Sequence, residues 1–284
     1  MGKFSEQMKM DLELKGYGSS TQRIYLTKVR DFVGYFGRSP DLLGEDEIRK
    51  YLHHLITEKG LAKSTINQAY SALKFFYQTT LQREWDTVRI PRIKKEKKLP
   101  VVFSRQEVGD VLAAVSNLKH RAILTTIYSG GLRVSEATHL KVTDIDSQRM
   151  MIRVDQAKGN KDRYTLLAKM ALLTLREYWM MYRPAGWLFP GILPGQPISV
   201  RSVQKVFYNA IEKAGIQKPA SVHTLRHSFA THLAEAGVSL PCIQELLGHT
   251  SIKTTSIYLH VTKMDLARIV NPLDLLEDTE RPTS

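Results

Sequence analysis

The sequence predicts a mainly α protein of two domains: a four-helix N-terminal domain, then a larger, mostly α domain carrying a small β-hairpin or sheet. Three observations predict it. Apolar residues recur at helical spacing through most of the 284 residues. A strap rich in lysine and proline interrupts that pattern after Trp85. One pair of alternating runs, joined around Gly159-Asn160, has the period of strands. The expected division is 1–88, a linker over 89–103, and 104–284.

In the first domain, "SSTQRIYLTKVRDFVGYF" opens with Ser19 and Gln22 in a capping-box pattern and places Tyr25, Val29, Phe32 and Phe36 on one face. "EDEIRKYLHHLITEK" sets Ile48, Leu52 and Leu55 on a second apolar stripe. A helix from about Ala62 to Leu81 carries two stripes: Ile66, Tyr70, Leu73 and Tyr77 are apolar, and Ser64, Asn67, Ser71, Lys74 and Gln78 are hydrogen-bonding. The second stripe fits either a solvated face or a helix laid in a DNA major groove, where such side chains pair with bases and phosphates.

The strap "RIPRIKKEKKLP" holds six basic residues, one acid and two prolines. Proline removes backbone donors and disfavours helix in the residue before it, so an extended linker is expected. It is either a basic hinge or a strand of phosphate contacts made by Arg92, Lys94, Lys95, Lys97 and Lys98, and the clustering favours the second.

The second domain begins at "SRQEVGDVLAAV", with Ser104 and Glu107 as another capping box. Helical patterns run to about Leu140, the hairpin follows in "RMMIRVDQAKGNKDRYTLLA", and helices resume from about Ala168.

Composition narrows the function classes. With 43% apolar and 24% charged residues, this is a soluble globular chain. Its 41 basic against 28 acidic residues leave a formal charge of +13, which favours a polyanionic partner, nucleic acid first. No stretch approaches the roughly 18 apolar residues of a membrane span. The N-terminus lacks a signal-peptide core, and Cys242 is the single cysteine, so neither an intramolecular disulfide nor a cysteine-built zinc site is expected. A reducing cytoplasm fits best.

Four stretches of the second domain carry candidate chemistry. "SGGLRVSEATHL" puts Arg133 at a helix start, with Glu136 one turn on; "AKGNKDR" sets Lys158 beside the hairpin turn. "HTLRHSFATHL" places His223 and Arg226 on one helix face, and "LGHTSIKTTSIY" supplies His249 and Tyr258. Each alone has a plain structural explanation. Together they match the needs of a tyrosine attacking a phosphodiester. Two arginines clamp the oxygens on which charge gathers. Histidines donate hydrogen bonds or move protons, and a lysine protonates the leaving oxygen. With Glu136 the only acid in the set, no divalent-metal cage is expected.

In order and spacing, "GLRVSE", "KGNKDR", "HTLRHSFATHL" and "LLGHTSIKTTSIYLHV" resemble the tyrosine recombinase, or lambda integrase, family, and within it the Xer-like branch. The resemblance covers essentially the whole chain. It implies a SAM-like core-DNA-binding domain before the catalytic one. Residue by residue, it implies Arg133 and Arg226 as phosphate clamps, Lys158 as general acid and His223 as a handler of the tyrosine proton. It implies His249 as a further site histidine, Tyr258 as nucleophile and Glu136 as their support. The implied reaction is site-specific recombination through a 3′-phosphotyrosyl link and a Holliday junction, with no cofactor. The implied partners are double-stranded DNA with inverted-repeat half-sites and three further copies of the chain in a tetramer, with a paralogue or accessory protein as an open alternative. "VTKMDLARIVNPLDLL" is the expected docking helix, or else packs on its own domain. With the four-helix unit starting near Met1, no arm-site domain is expected. The competing expectations are a type IB topoisomerase-like nicking and resealing enzyme and a non-catalytic DNA-binding protein.

Overall fold

The computed structural model describes residues 2–94, 99–157, 161–249 and 251–260, without the side chains at 156–157, 161, 252–253 and 259–260. Lys95, Lys97, Lys98, Lys158, the Gly159-Asn160 turn and the expected docking segment 261–276 lie outside the described residues. The chain divides into two compact units, residues 1–97 and 98–284.

The first unit is built from α1 (Gly2–Leu14), α2 (Ser19–Phe36), α3 (Glu45–Thr57) and α4 (Lys63–Phe75), the last continuing as a π-turn over Phe76–Thr80. The predicted stripes face inward: Val29, Phe32, Ile48, Leu52, Leu55, Ile66, Tyr70, Leu73 and Tyr77 are buried, and Tyr25 and Phe36 pack on their rim. The wide π-turn is tied down from outside. The Thr80 hydroxyl donates to Asp11 Oδ2 at 2.6 Å, and Gln7 Nε2 donates to the Thr80 carbonyl oxygen at 3.2 Å. The capping box expected at Ser19 does not form. Gly18 occupies the cap, and the Gln22 side chain instead donates to the Tyr17 carbonyl oxygen at 2.7 Å. Beyond Trp85, Ile90 is buried and Ile93 packs on the same core, so the start of the strap adheres to this unit.

The second unit wraps helices around α6 (Leu118–Gly130), whose Ala122, Ile123, Leu124 and Ile127 are fully buried. Before it comes α5 (Arg105–Ala113), capped by the predicted box: Ser104 Oγ accepts from Glu107 N at 3.1 Å and Glu107 Oε2 accepts from Ser104 N at 2.7 Å. After it come α7 (Val134–Thr138) and an antiparallel sheet, β1 (Ile145–Asp146), β2 (Met151–Ala157) and β3 (Lys161–Leu166) in that order. The two predicted runs are β2 and β3, paired from Met151↔Leu166 to Ala157↔Lys161; β1 was not expected. Next are α8 (Lys169–Tyr182), α9 (Val200–Lys213), α10 (Val222–Glu235), α11 (Leu240–Leu247) and α12 (Ile252–Thr255), ending in a 3-10 turn over Ser256–His260. The fold is mainly α with one small sheet, as predicted. Among the described residues, no helix is long and apolar enough to cross a membrane.

Candidate active site

Two helix ends build the centre of the site. α6 stops where Gly131 takes a left-handed backbone, φ 58°, and α11 stops where Gly248 does so, φ 61°. A Cβ on Gly131 would fall 2.3 Å from the Phe229 ring, and one on Gly248 would lie 2.8 Å from Arg163 Cδ. The two stops leave the carbonyl oxygens of Gly131 and Leu247 free of their helices. Arg226, four residues into α10 and 4% exposed, donates to both, at 2.7 and 2.6 Å. Its charge therefore sits against the negative ends of two helix dipoles.

A single carboxylate joins the remaining guanidiniums. Glu136 accepts from Arg133 N at 2.8 Å and from Arg133 Nη1 at 2.6 Å. Arg163 on β3 meets the same carboxylate with both terminal nitrogens, at 3.0 and 2.8 Å, and its Nε donates to the Leu246 carbonyl oxygen at 2.9 Å. Arg226 Nη1 lies 3.6 Å from Glu136 Oε2. Burial pushes the Glu136 carboxyl up, but hydrogen bonds and charge from Arg163, then the bonds from Arg133, outweigh it and hold the group at about 2. One negative charge thus faces three positive ones. Burial, then repulsion by Arg133, lowers Arg226 to about 10, so it remains charged at neutral pH.

The histidines and the tyrosine lie around this cluster. His249 hydrogen-bonds through Nδ1 to the Thr255 hydroxyl at 2.9 Å; burial, then Arg226 and Arg133, lowers it to about 4. His223 is exposed on the first turn of α10, and partial desolvation, then Arg226 and Arg133, lowers it too. Tyr258, 1% exposed in the last 3-10 turn, packs with Phe229, Ile243 and Leu247. Its hydroxyl is raised by burial and drawn back in part by Arg226 and Arg133, and it lies 3.1 Å from His227 Nδ1. Five of the six predicted catalytic residues, with Glu136, therefore belong to one neighbourhood; the sixth is Lys158. Among the described residues, no three His, Cys, Asp or Glu side chains are placed to hold a metal ion.

Two residues of this neighbourhood escaped the sequence reading. His227 directly follows Arg226 and lies one turn from His223, a spacing that would have set it on the same helix side. Arg163 ends the quoted "KGNKDR", but nothing in the sequence distinguishes it from a solvated hairpin arginine.

In the first unit the polar stripe of α4 is not uniform. Ser64 and Gln78 are exposed, and Ser71 and Lys74 are half-buried. Asn67 is 2% exposed, with its Nδ2 donating to the Ile93 carbonyl oxygen at 3.0 Å. Asn67 therefore holds the strap in the DNA-free chain instead of facing a groove. Arg92 and Lys94 are exposed.

The sequence matches the model of the "Phage integrase family" over residues 101–264 and that of its "N-terminal SAM-like domain" over residues 4–87. The chain belongs to the phage integrase family of tyrosine recombinases. Among curated members, the "Putative integrase/recombinase y4qK" of Sinorhizobium fredii is 46% identical over 95% of this chain and 88% of its own. The "Tyrosine recombinase XerC" of Lactobacillus delbrueckii is 37% identical over 80% and 81%, which supports the Xer-like branch. Two solved structures share the fold. XerH bound to a palindromic difH substrate has TM-score 0.73 at 23% identity, covering 93% of this chain and 82% of that one. A lambda integrase tetramer bound to a Holliday junction has TM-score 0.73 at 20% identity, covering 90% and 76%. This tyrosine recombinase is a site-specific DNA recombinase.

Proposed function

We propose that Tyr258 is the nucleophile, attacking a DNA phosphodiester to give a 3′-phosphotyrosyl link and a free 5′ hydroxyl. The observation that carries this reading is the cluster of Arg133 and Arg226 on the Glu136 carboxylate, 2.6 and 3.6 Å away, with the Tyr258 hydroxyl within their electrostatic reach. Fixed guanidiniums stabilise charge that grows on non-bridging oxygens, and their geometry is set before DNA arrives. Glu136 holds that geometry. His223 and His249, neutral near pH 7, supply hydrogen bonds to the same phosphate, and Lys158 protonates the leaving oxygen.

The substrate in this reading is double-stranded DNA with inverted-repeat half-sites, bound by four copies across two sites, with exchange through a Holliday junction. Ser64, Ser71, Lys74 and Gln78 face a groove, while Arg92, Lys94, Lys95, Lys97 and Lys98 track phosphates. The domain division 1–88, 89–103 and 104–284 belongs to the same proposal, as do a cytoplasmic location on the nucleoid and any paralogue or accessory protein. No cofactor is required, because the phosphotyrosyl ester retains the energy of the broken bond.

Trapping on a nicked suicide substrate tests the nucleophile. The unaltered protein is expected to form a covalent protein–DNA adduct, and Tyr258→Phe to bind the same DNA without one. Unchanged adduct yield in Tyr258→Phe would overturn the assignment.

A further inference from the structure

The histidine next to the clamp arginine has a partner that the family motifs do not explain. His227 Nδ1 is 3.1 Å from the Tyr258 hydroxyl, and the two rings pack with centroids 5.9 Å apart. The Tyr258 side chain is part of the small apolar cluster of Phe229, Ile243 and Leu247. Among the described residues, His227 is the imidazole within hydrogen-bonding reach of that oxygen. The Nδ1 of His249 is engaged by the Thr255 hydroxyl, and His223 sits one turn away at an exposed position.

We propose that His227 is a further catalytic residue, the group that takes the phenolic proton as Tyr258 attacks phosphorus. The inference rests on Tyr258 being the nucleophile. The charged and titratable groups around the pair are His223 and Arg226 on α10, Arg133 at the start of α7 and His249 after α11, with Glu136 behind the two arginines. Their net positive character disfavours a protonated imidazole. Burial, then His223 and Arg226, lowers His227 to about 4, so it is neutral, with a lone pair to offer, at working pH. A neutral ring accepting at Nδ1 carries its own proton on Nε2.

In the step, the phenol O–H bond breaks and its proton passes to His227 Nδ1. The oxygen lone pair forms the bond to phosphorus, and the bond to the 5′ oxygen breaks. That oxygen takes a proton from a separate acid, Lys158 in the present reading. Rejoining reverses each transfer, so His227 returns the proton to Tyr258.

The test is single-turnover cleavage by His227→Asn, whose amide can fill the Nδ1 position but cannot take a proton. Two suicide substrates are used, one normal and one with a 5′-bridging sulfur whose thiolate leaves without protonation. Cleavage is expected to slow about 100-fold at pH 7 on both, the usual scale for losing a general base. The deficit should shrink by about tenfold per pH unit above 7, as hydroxide replaces the missing base. His223→Asn, run in parallel, should show a deficit that does not change with pH. A pH-independent deficit in His227→Asn, or a pH-dependent one in His223→Asn alone, overturns the proposal. DNA affinity and unfolding temperature of His227→Asn are measured alongside, and His227→Gln repeats the series if the first variant fails to fold. Mass spectrometry of the adducted peptide separates the two levels. An adduct on another residue defeats the Tyr258 assignment, whereas an adduct on Tyr258 with a pH-independent deficit defeats His227 alone.

Discussion

Arg163 and Glu136 form a two-point ion pair, with nitrogen–oxygen distances of 3.0 and 2.8 Å, that links strand β3 to the first turn of α7. Both side chains are more than nine-tenths buried, at 7% and 8% exposure. Arg133 reaches the same carboxylate, so the position of Arg133 depends on a residue of the hairpin. A lysine at 163 would keep the charge and lose the fork. Arg163→Lys is therefore expected to slow suicide-substrate cleavage by at least about tenfold while DNA affinity, measured by gel shift, stays within about threefold.

Removing the carboxylate leaves the three guanidiniums uncompensated. Breaking one partner of a buried pair costs roughly 3–5 kcal/mol. Glu136→Gln is expected to show a loss of that order in denaturant unfolding. Added sulfate or DNA should restore part of it by supplying the missing negative charge.

The pKa shifts set the sign of the pH response. His227 and His249 are both lowered to about 4, so between about 6.5 and 4 the unfolded chain binds protons that the folded chain does not. Stability of the DNA-free protein should fall as pH drops through that window, by up to roughly 1.4 kcal/mol per unit for each histidine. Glu136, held at about 2, gives stability that is full above its ordinary carboxylate range and vanishes only as pH falls towards 2. A pH series of unfolding temperatures checks this, with the loss between pH 6.5 and 4 smaller in a His227→Asn, His249→Asn double variant, where the lowered His223 still contributes.

Along the stripe that runs from α4 into its π-turn, Asn67 and Gln78 should separate. Asn67→Ala removes the donor to the Ile93 carbonyl oxygen at a buried position, so a loss of about 1–2 kcal/mol is expected in thermal unfolding. Gln78 is exposed, and Gln78→Ala should leave stability unchanged within about 0.5 kcal/mol while altering preference among half-site sequences. Binding to a randomised half-site library measures the second effect.

Gly131→Ala meets two penalties, a left-handed backbone and a ring 2.3 Å from the new methyl. A loss of about 2 kcal/mol or more is expected in unfolding, with cleavage lost more steeply than DNA binding because Phe229 adjoins Tyr258.

Much of the architecture was legible in periodicity. The apolar stripes of α2 to α4 and the capping box at Ser104 are local patterns, and local patterns survive folding. The grouping of residues around the Glu136 carboxylate was legible where motif spacing carried it, at Arg133, Glu136, His223, Arg226, His249 and Tyr258. What stayed hidden depends on contacts distant in sequence. Alternation in β3 does not disclose that Arg163 and Thr165 point inward while Tyr164 and Leu166 are exposed. That inversion arises because the Thr165 hydroxyl donates to the Gly130 carbonyl oxygen and Arg163 meets Glu136. Asn67 read as a groove residue because its partner, Ile93, lies 26 residues later in the chain. The Ser19 capping box failed because Gly18, one residue earlier, occupies the cap.

The attachment of Arg226 to the carbonyl oxygens of Gly131 and Leu247 has an evolutionary consequence. Main-chain oxygens are present whatever residue is encoded at those codons, so ordinary drift in neighbouring side chains cannot delete the acceptors that seat this arginine. Vulnerability is concentrated instead in the glycines whose turns aim those oxygens. The surface around them is thus free to diversify while Arg226 stays in register.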